Sequence, residues 1–211
     1  MRDEAWTKVN DRTVRSAILA RIPAPQGDDP PDSTLNWTVR SPEELRASFQ
    51  RELQALGARV FCADSVDTAK NHIEEVVMEK GGEAVVAGRP VVESLHLAGP
   101  HFRLQGAFPA ANAMVSVTQA DYGLADTGTL VLFSTQGEGR TLSLLAPVNI
   151  VVISAARIVA HLPELFARVP DPASVSSAMI FVTGPSRTAD IELTLTVGVH
   201  GPGELHVVIL E

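Results

Sequence analysis

SPEELRASFQRELQALGARVFCADSVDTAKNHIEEVVMEKGGEAVVA, residues 41–87, reads as helix, strand, helix and strand in succession. Ser41 is placed to cap a helix, Pro42 fits its first position, and Glu44 stands three residues after the cap. That is the pattern of a capping box, and it opens a helix that runs to Gly57. The apolar run Ala58 to Ala63 follows as a strand, Val66 to Lys80 as a second helix, and Glu83 to Ala87 as another short buried strand. Alternating units of this kind favour a largely parallel sheet with helices on both faces, because parallel strands need crossover connections. Open sheets of that type take their ligands outside the carboxyl ends of the strands.

Toward the C-terminus the alternation continues. Val115 to Val117, Gly128 to Phe133 and Asn149 to Ser154 read as strands, Ala156 to Val169 as a helix and Met179 to Thr183 as a strand; residues 187–197 look helical, and Leu205 to Leu210 form a last strand. Toward the N-terminus, Trp6, Val9, Val14, Ile18 and Leu19 make a partial helical stripe, and Pro23 to Ser33 is an extended, proline-rich connector. The expected organisation is an N-terminal helix and connector over residues 1–33 and one α/β domain over residues 34–211. A domain of this size buries roughly 70% of the surface of its unfolded chain, enough for one core.

Charge and cysteine use exclude several classes. With 17 basic and 25 acidic side chains the net charge is −8, a field that repels nucleic acid and anionic membrane surfaces. The start of the chain lacks the basic head and apolar middle of a secretory signal, so a cytoplasmic location is expected. The longest apolar tract, Leu142 to Leu162, is broken by Pro147, Asn149, Arg157 and His161, poor material for a span of about 20 residues. Cys62, the single cysteine, lies in an apolar run and reads as a small buried hydrophobe. It cannot hold an iron–sulfur cluster by the usual four thiolates, so a redox centre would come from another polypeptide. His96 and His101 share one loop with no third ligand at metal spacing, and no metal site is expected.

Three segments could carry chemistry. In the first, Asp121, Asp126, Thr127, Gly128 and Thr129 stand immediately before an apolar strand; amides and hydroxyls there could hold an oxyanion, although the same residues make ordinary tight turns. In the second, Gly184, Ser186 and Arg187 follow a strand and lead toward Asp190 and Glu192. A helix starting at Ser186 would offer free amides to a phosphate or carboxylate, as many strand-to-helix turns offer them only to water. In the third, His200 precedes the sharp turn Gly201-Pro202-Gly203, where it could act as acid, base or donor, or simply bond the turn backbone. Arg140 closes the loop Gly137-Glu138-Gly139 and suits anion recognition. No dinucleotide fingerprint or phosphate loop is readable.

The runs ADYGLADTGTLVL, GEGRTLSLLAPVNIVVI and GPSRTADIELTLTVGVHGPGELHVVIL, in that order, resemble the lactate-utilisation family of LUD-domain proteins. The resemblance is close in the C-terminal half and only general in layout before it. It implies a three-layer α/β fold with a mostly parallel sheet, similar to the sugar-phosphate isomerases and CoA transferases. It also implies a part in oxidising L-lactate to pyruvate beside iron–sulfur partner proteins, with no cofactor in this chain itself. Carried over by position, it points to Asp121, Asp126, Thr127, Gly128, Thr129, Arg140, Gly184, Ser186, Arg187, Asp190, Glu192, His200 and Gly201. Among these, Asp126, Glu192 and His200 are the candidates for a catalytic part, and the others for holding a small carboxylate or phosphate. Asn149 departs from the pattern, standing where many relatives have histidine. An alternative reading is a stand-alone isomerase, transferase or cyclo-ligase acting on a phosphorylated or CoA-linked small molecule.

Overall fold

The computed structural model describes residues 20–21, 40–104, 113–134, 141–189, 195–198 and 200–211. The chain divides into two units, Met1–Val39 and Arg40–Glu211, and the described strands and helices all belong to the second. The expected helix over residues 4–21 and the connector over 23–33 lie outside the described residues, apart from 20 and 21.

Helix α1 (Pro42–Ala55) begins as its sequence dictates, with the Ser41 hydroxyl accepting from the Glu44 amide at 3.2 Å and the Glu44 carboxylate accepting from the Ser41 amide at 2.8 Å. It buries Phe49 and Leu53 completely, each contributing about 2–3 kcal/mol of apolar transfer. Strand β1 (Arg59–Ala63), helix α2 (Val66–Glu79) and strand β2 (Ala84–Val86) complete the alternation, and a short helix α3 (Pro90–Ser94) and strand β3 (Phe102–Leu104) follow. With β4 (Val115–Gln119), β7 (Val148–Ser154) and β12 (Glu204–Leu210), these strands form a six-stranded sheet in the order β1-β12-β7-β4-β2-β3, parallel throughout.

One face of this sheet carries α2 and α3, whose Ile73, Val77, Val92 and Leu95 pack on Val117, Ile150 and Val208. The other face departs from the expectation of helices alone. There α1 shares the layer with a second sheet, β8-β5-β6-β9, built from β5 (Tyr122–Leu124), β6 (Thr129–Phe133), β8 (Ile158–Val159) and β9 (Met179–Val182). Leu130 and Leu132 of β6 face the large sheet, while Tyr122, Leu124 and Val131 face outward under helix α5 (Leu162–Arg168). A four-residue helix α4 (Leu142–Leu145) and a short α6 (Pro172–Val175) complete the described helices. None of them is long and apolar enough to cross a membrane.

Two stretches read as helix turn out otherwise. Within 187–197, β10 (Arg187–Ala189) and β11 (Leu195–Val197) form an antiparallel ladder, with Arg187 opposite Val197. The alternation of Ile191, Leu193, Leu195 and Val197 with polar neighbours has the period of a strand, and the threonines at 188, 194 and 196 are β-branched. Residues 156–169 divide into a turn of 3-10 helix (Ala155–Arg157), β8 and then α5. Pro163 cannot sit inside a helix and fits only near its start, so the helix begins after His161. The His161 ring nitrogen accepts from the Glu164 amide at 3.2 Å, and Glu164 accepts from the Ala160 amide at 2.8 Å.

Cys62 is exposed rather than buried, its thiol 3.5 Å from the Gln50 side-chain oxygen. The strand that carries it is the outermost of the large sheet, so one flank of an apolar run remains uncovered.

Candidate functional site

At the carboxyl ends of three neighbouring strands, β2, β4 and β7, the chain places Arg89, Asp121 and Arg157 in turn. Gln119, the last residue of β4, accepts from the Val91 amide at 2.8 Å and so fixes the start of α3 beside Arg89. Asp121 has both carboxylate oxygens engaged: one takes the Arg89 guanidinium, the other accepts from the Phe133 amide at 2.7 Å. Its own amide donates to the Val131 carbonyl at 2.8 Å, so it ties the end of β4 to the end of β6. Burial pushes the Asp121 carboxyl above its ordinary range, against the pull of the Phe133 amide and of Arg89. Arg157 lies over the Tyr122 ring, 5.4 Å from its centre, and donates to the Tyr122 hydroxyl at 3.3 Å. Among the described residues, Arg89 and Arg157 both act on Asp121 at the edge where open parallel sheets take their ligands.

The rest of the first motif lies elsewhere. Asp126, Thr127 and Gly128 form the turn joining β5 to β6, at the opposite end of β5 from Asp121. Gly128 has a φ of 62°, and a Cβ there would come within 2.7 Å of the Leu53 amide nitrogen. The turn therefore rests directly on the backbone of α1, and the space at Gly128 is filled by protein. Asp126 and Thr127 are exposed. A chain of hydroxyls runs from Thr127 to Thr129 at 2.8 Å and on to Thr183 at 2.9 Å, linking the first motif to the second.

Around the second motif no helix begins, so the expected row of free helix-start amides at Gly184 to Arg187 is absent. The Ser186 amide donates to the Pro202 carbonyl at 2.8 Å, and the Gly198 amide donates to the Ser186 carbonyl at 3.1 Å. Gly184 sits against Leu56, and the exposed Arg187 extends its guanidinium past Gly57, at the end of α1. The third motif meets the second through Ser186 and Pro202. His200 is exposed and lines a groove of about 590 Å³ with Leu144, Leu145, Pro147 and Gly201. That groove lies beside the starts of β7 and β12, the amino edge of the large sheet. Arg140, Asp190 and Glu192 fall outside the described residues.

Asn149, on β7, is fully buried and bonds to the neighbouring β4. Its side-chain oxygen accepts from Ser116 at 3.1 Å and from Thr118 at 3.0 Å, and its amide approaches the Ser143 carbonyl at 3.5 Å. His101 is bound to the Gly82 carbonyl at 2.6 Å. Among the described residues no group of three or more histidine, cysteine, aspartate and glutamate side chains is gathered as a metal site would be.

Reading by motif missed Arg89, Arg157 and Tyr122. The two arginines follow apolar strands by two or three residues, and the rule that parallel sheets bind at their carboxyl ends would have marked both.

Residues 109–210 match the LUD domain family. Over 95% of its length the chain is 27% identical to lactate utilization protein C of Geobacillus thermodenitrificans (strain NG80-2), spanning 92% of that protein. Over 44% of its length it is 42% identical to the protein of the same name from Geobacillus sp. (strain WCH70), spanning 40% of it. The fold is similar to the crystal structure of a DUF162 family protein from Deinococcus radiodurans, with a TM-score of 0.66 and 20% identity over 82% of this chain and all of that one.

Proposed function

We propose that this chain, a LUD-domain protein by its sequence and in its fold, serves lactate utilisation as a subunit or accessory protein that binds a small anion. In this reading iron–sulfur partner proteins carry the electrons when L-lactate is oxidised to pyruvate. The observation that carries it is the placement of two guanidinium groups, Arg89 and Arg157, where β2, β4 and β7 end, a setting suited to an anionic guest. The similarity to lactate utilization protein C over nearly the whole chain supplies the physiological setting. With one cysteine, the chain lacks the thiolates of a cluster of its own. The chemistry left to it is to hold and orient an anion for a partner.

Deleting the gene and following growth on L-lactate as sole carbon source tests the role, and tagged bait purified from the same cells tests the partners through iron and acid-labile sulfide. Loss of growth, restored by the wild-type chain, together with a cluster-bearing partner on the bait, is the expected outcome. Undiminished growth, or bait that brings down no iron and sulfide, overturns it. A stand-alone enzyme for a phosphorylated substrate drew its support from a helix start at Gly184 to Arg187 and from Asp126 to Thr129; the antiparallel strands β10 and β11 take away the first of these.

A further inference from the structure

Three polar groups near the carboxyl end of β4 differ in how far their bonding capacity is used. Asp121 is spent, with both oxygens engaged and its charge balanced by Arg89. Arg157 is not. Its hydrogen-bond and ring partner among the described residues is Tyr122; the side chain is exposed and acts on Asp121 through its charge, with no described carboxylate bonded to its fork. A guanidinium has five N–H donors in a planar fork, and one of them is used here.

Tyr122 is the complementary case. Its residue is 9% exposed, its ring packed among Leu124, Val131 and Leu165, and Phe133 lies 6.1 Å from it. The hydroxyl oxygen accepts from Arg157, and its own hydrogen meets no acceptor among the described residues. A buried hydroxyl whose hydrogen has no acceptor within the protein takes one from outside, from water or from a guest. The unspent hydrogen of Tyr122 and the unspent fork of Arg157 belong to groups 3.3 Å apart, so one acceptor-rich guest can satisfy both.

The guest's charge follows from Arg157, which brings one positive charge to the Tyr122 hydroxyl. A monoanion neutralises it, whereas a phosphate monoester would bring close to two negative charges to a place that balances one. A planar carboxylate also matches a guanidinium fork in shape, two parallel N–H bonds to two oxygens, with lone pairs left over for a phenol.

We propose that Tyr122 and Arg157 form the seat of a small monocarboxylate, Arg157 holding the carboxylate by its fork and the Tyr122 hydroxyl donating to one of its oxygens. Arg89 and Asp121 are positioning residues: they fix the junction of β4 and β5 from which Tyr122 projects. The seat deepens the lactate-utilisation reading and rests on it only for the choice of a short hydroxy or keto acid as probe.

Tyr122 is the sole tyrosine of the chain, so fluorotyrosine incorporated into the full-length protein gives one fluorine resonance that reports this group alone. Titration with pyruvate and with L-lactate is expected to move the resonance to saturation, while inorganic phosphate binds at least tenfold more weakly. Arg157→Gln should weaken pyruvate binding more than tenfold with the melting temperature unchanged, and Tyr122→Phe should weaken it severalfold by calorimetry. A resonance that ignores both acids overturns the seat, and so does a response that survives Arg157→Gln or that phosphate matches. If the resonance stays still while the gene is still needed for growth on lactate, the seat is wrong and the physiological reading stands. If the resonance moves and growth never depended on the gene, the reverse holds.

Discussion

Gly128 lies against the backbone of α1 so closely that a Cβ would stand 2.7 Å from the Leu53 amide nitrogen. The contact is with main chain, which cannot swing aside, and the residue has a φ of 62°, a conformation that side chains disfavour. Gly128→Ala should therefore lower stability by about 2 kcal/mol or more. The urea midpoint measures it, and a loss below a few tenths would show that the turn does not rest on the helix.

Asn149 joins two buried hydroxyls through one oxygen. Asn149→Ala strands Ser116 and Thr118 without an acceptor, at a cost of about 3 kcal/mol from two unsatisfied groups and a small void. Replacing the set together, with Asn149→Leu, Ser116→Ala and Thr118→Val, should fall much closer to the wild type, because no polar group is then left alone. Denaturant unfolding of the two variants separates a polar network from simple packing.

Arg89 and Asp121 should show the asymmetry of a largely buried pair. Arg89→Met leaves the carboxylate bonded to the Phe133 amide with only the more distant charge of Arg157 beside it, and is expected to cost about 3 kcal/mol. Adding Asp121→Asn removes the stranded charge and keeps an acceptor for that amide, so the double variant should recover part of the loss. A double variant no better than the single one would mean that Arg89 acts through some other contact.

His206 gives the fold a pH dependence. It is buried, with a ring nitrogen 2.8 Å from a Glu204 oxygen, and Glu204 also pairs with Lys80 at 2.9 Å and Arg59 at 3.1 Å. From α2, His72 faces it, stacked on Phe61 with Glu75 nearby. Burial lowers the affinity of both histidines for a proton, so the unfolded chain binds protons first as the pH drops below about 6.5. By linkage, this contribution to stability is fully present above that pH and is lost as the pH falls through the depressed folded-state values. The melting temperature should decline between pH 7 and pH 5, with a shallower slope in His206→Gln. Parallel slopes would place the titration elsewhere.

The large sheet was legible because each of its central strands is buried on both faces and so reads as an unbroken apolar run between helices. The capping box at Ser41 was legible for a similar reason, since both partners lie within one turn. The second sheet was not, because β5 and β8 are only three and two residues long and acquire their identity by pairing with strands distant in sequence. The strands β10 and β11 lie in a stretch whose period of two went unread among its charges.

Sequence alone determined the alternation of elements, the acidic surface charge and the lone cysteine, because these follow from local pattern and composition. It also marked the motif residues, but only tertiary structure decided how they divide: Asp121 to the carboxyl edge with Arg89 and Arg157, Asp126 to Thr129 to the end of α1, and His200 to the amino edge. Such grouping depends on which strands become neighbours. The order β1-β12-β7-β4-β2-β3 brings together chain segments many tens of residues apart, and no local pattern encodes it.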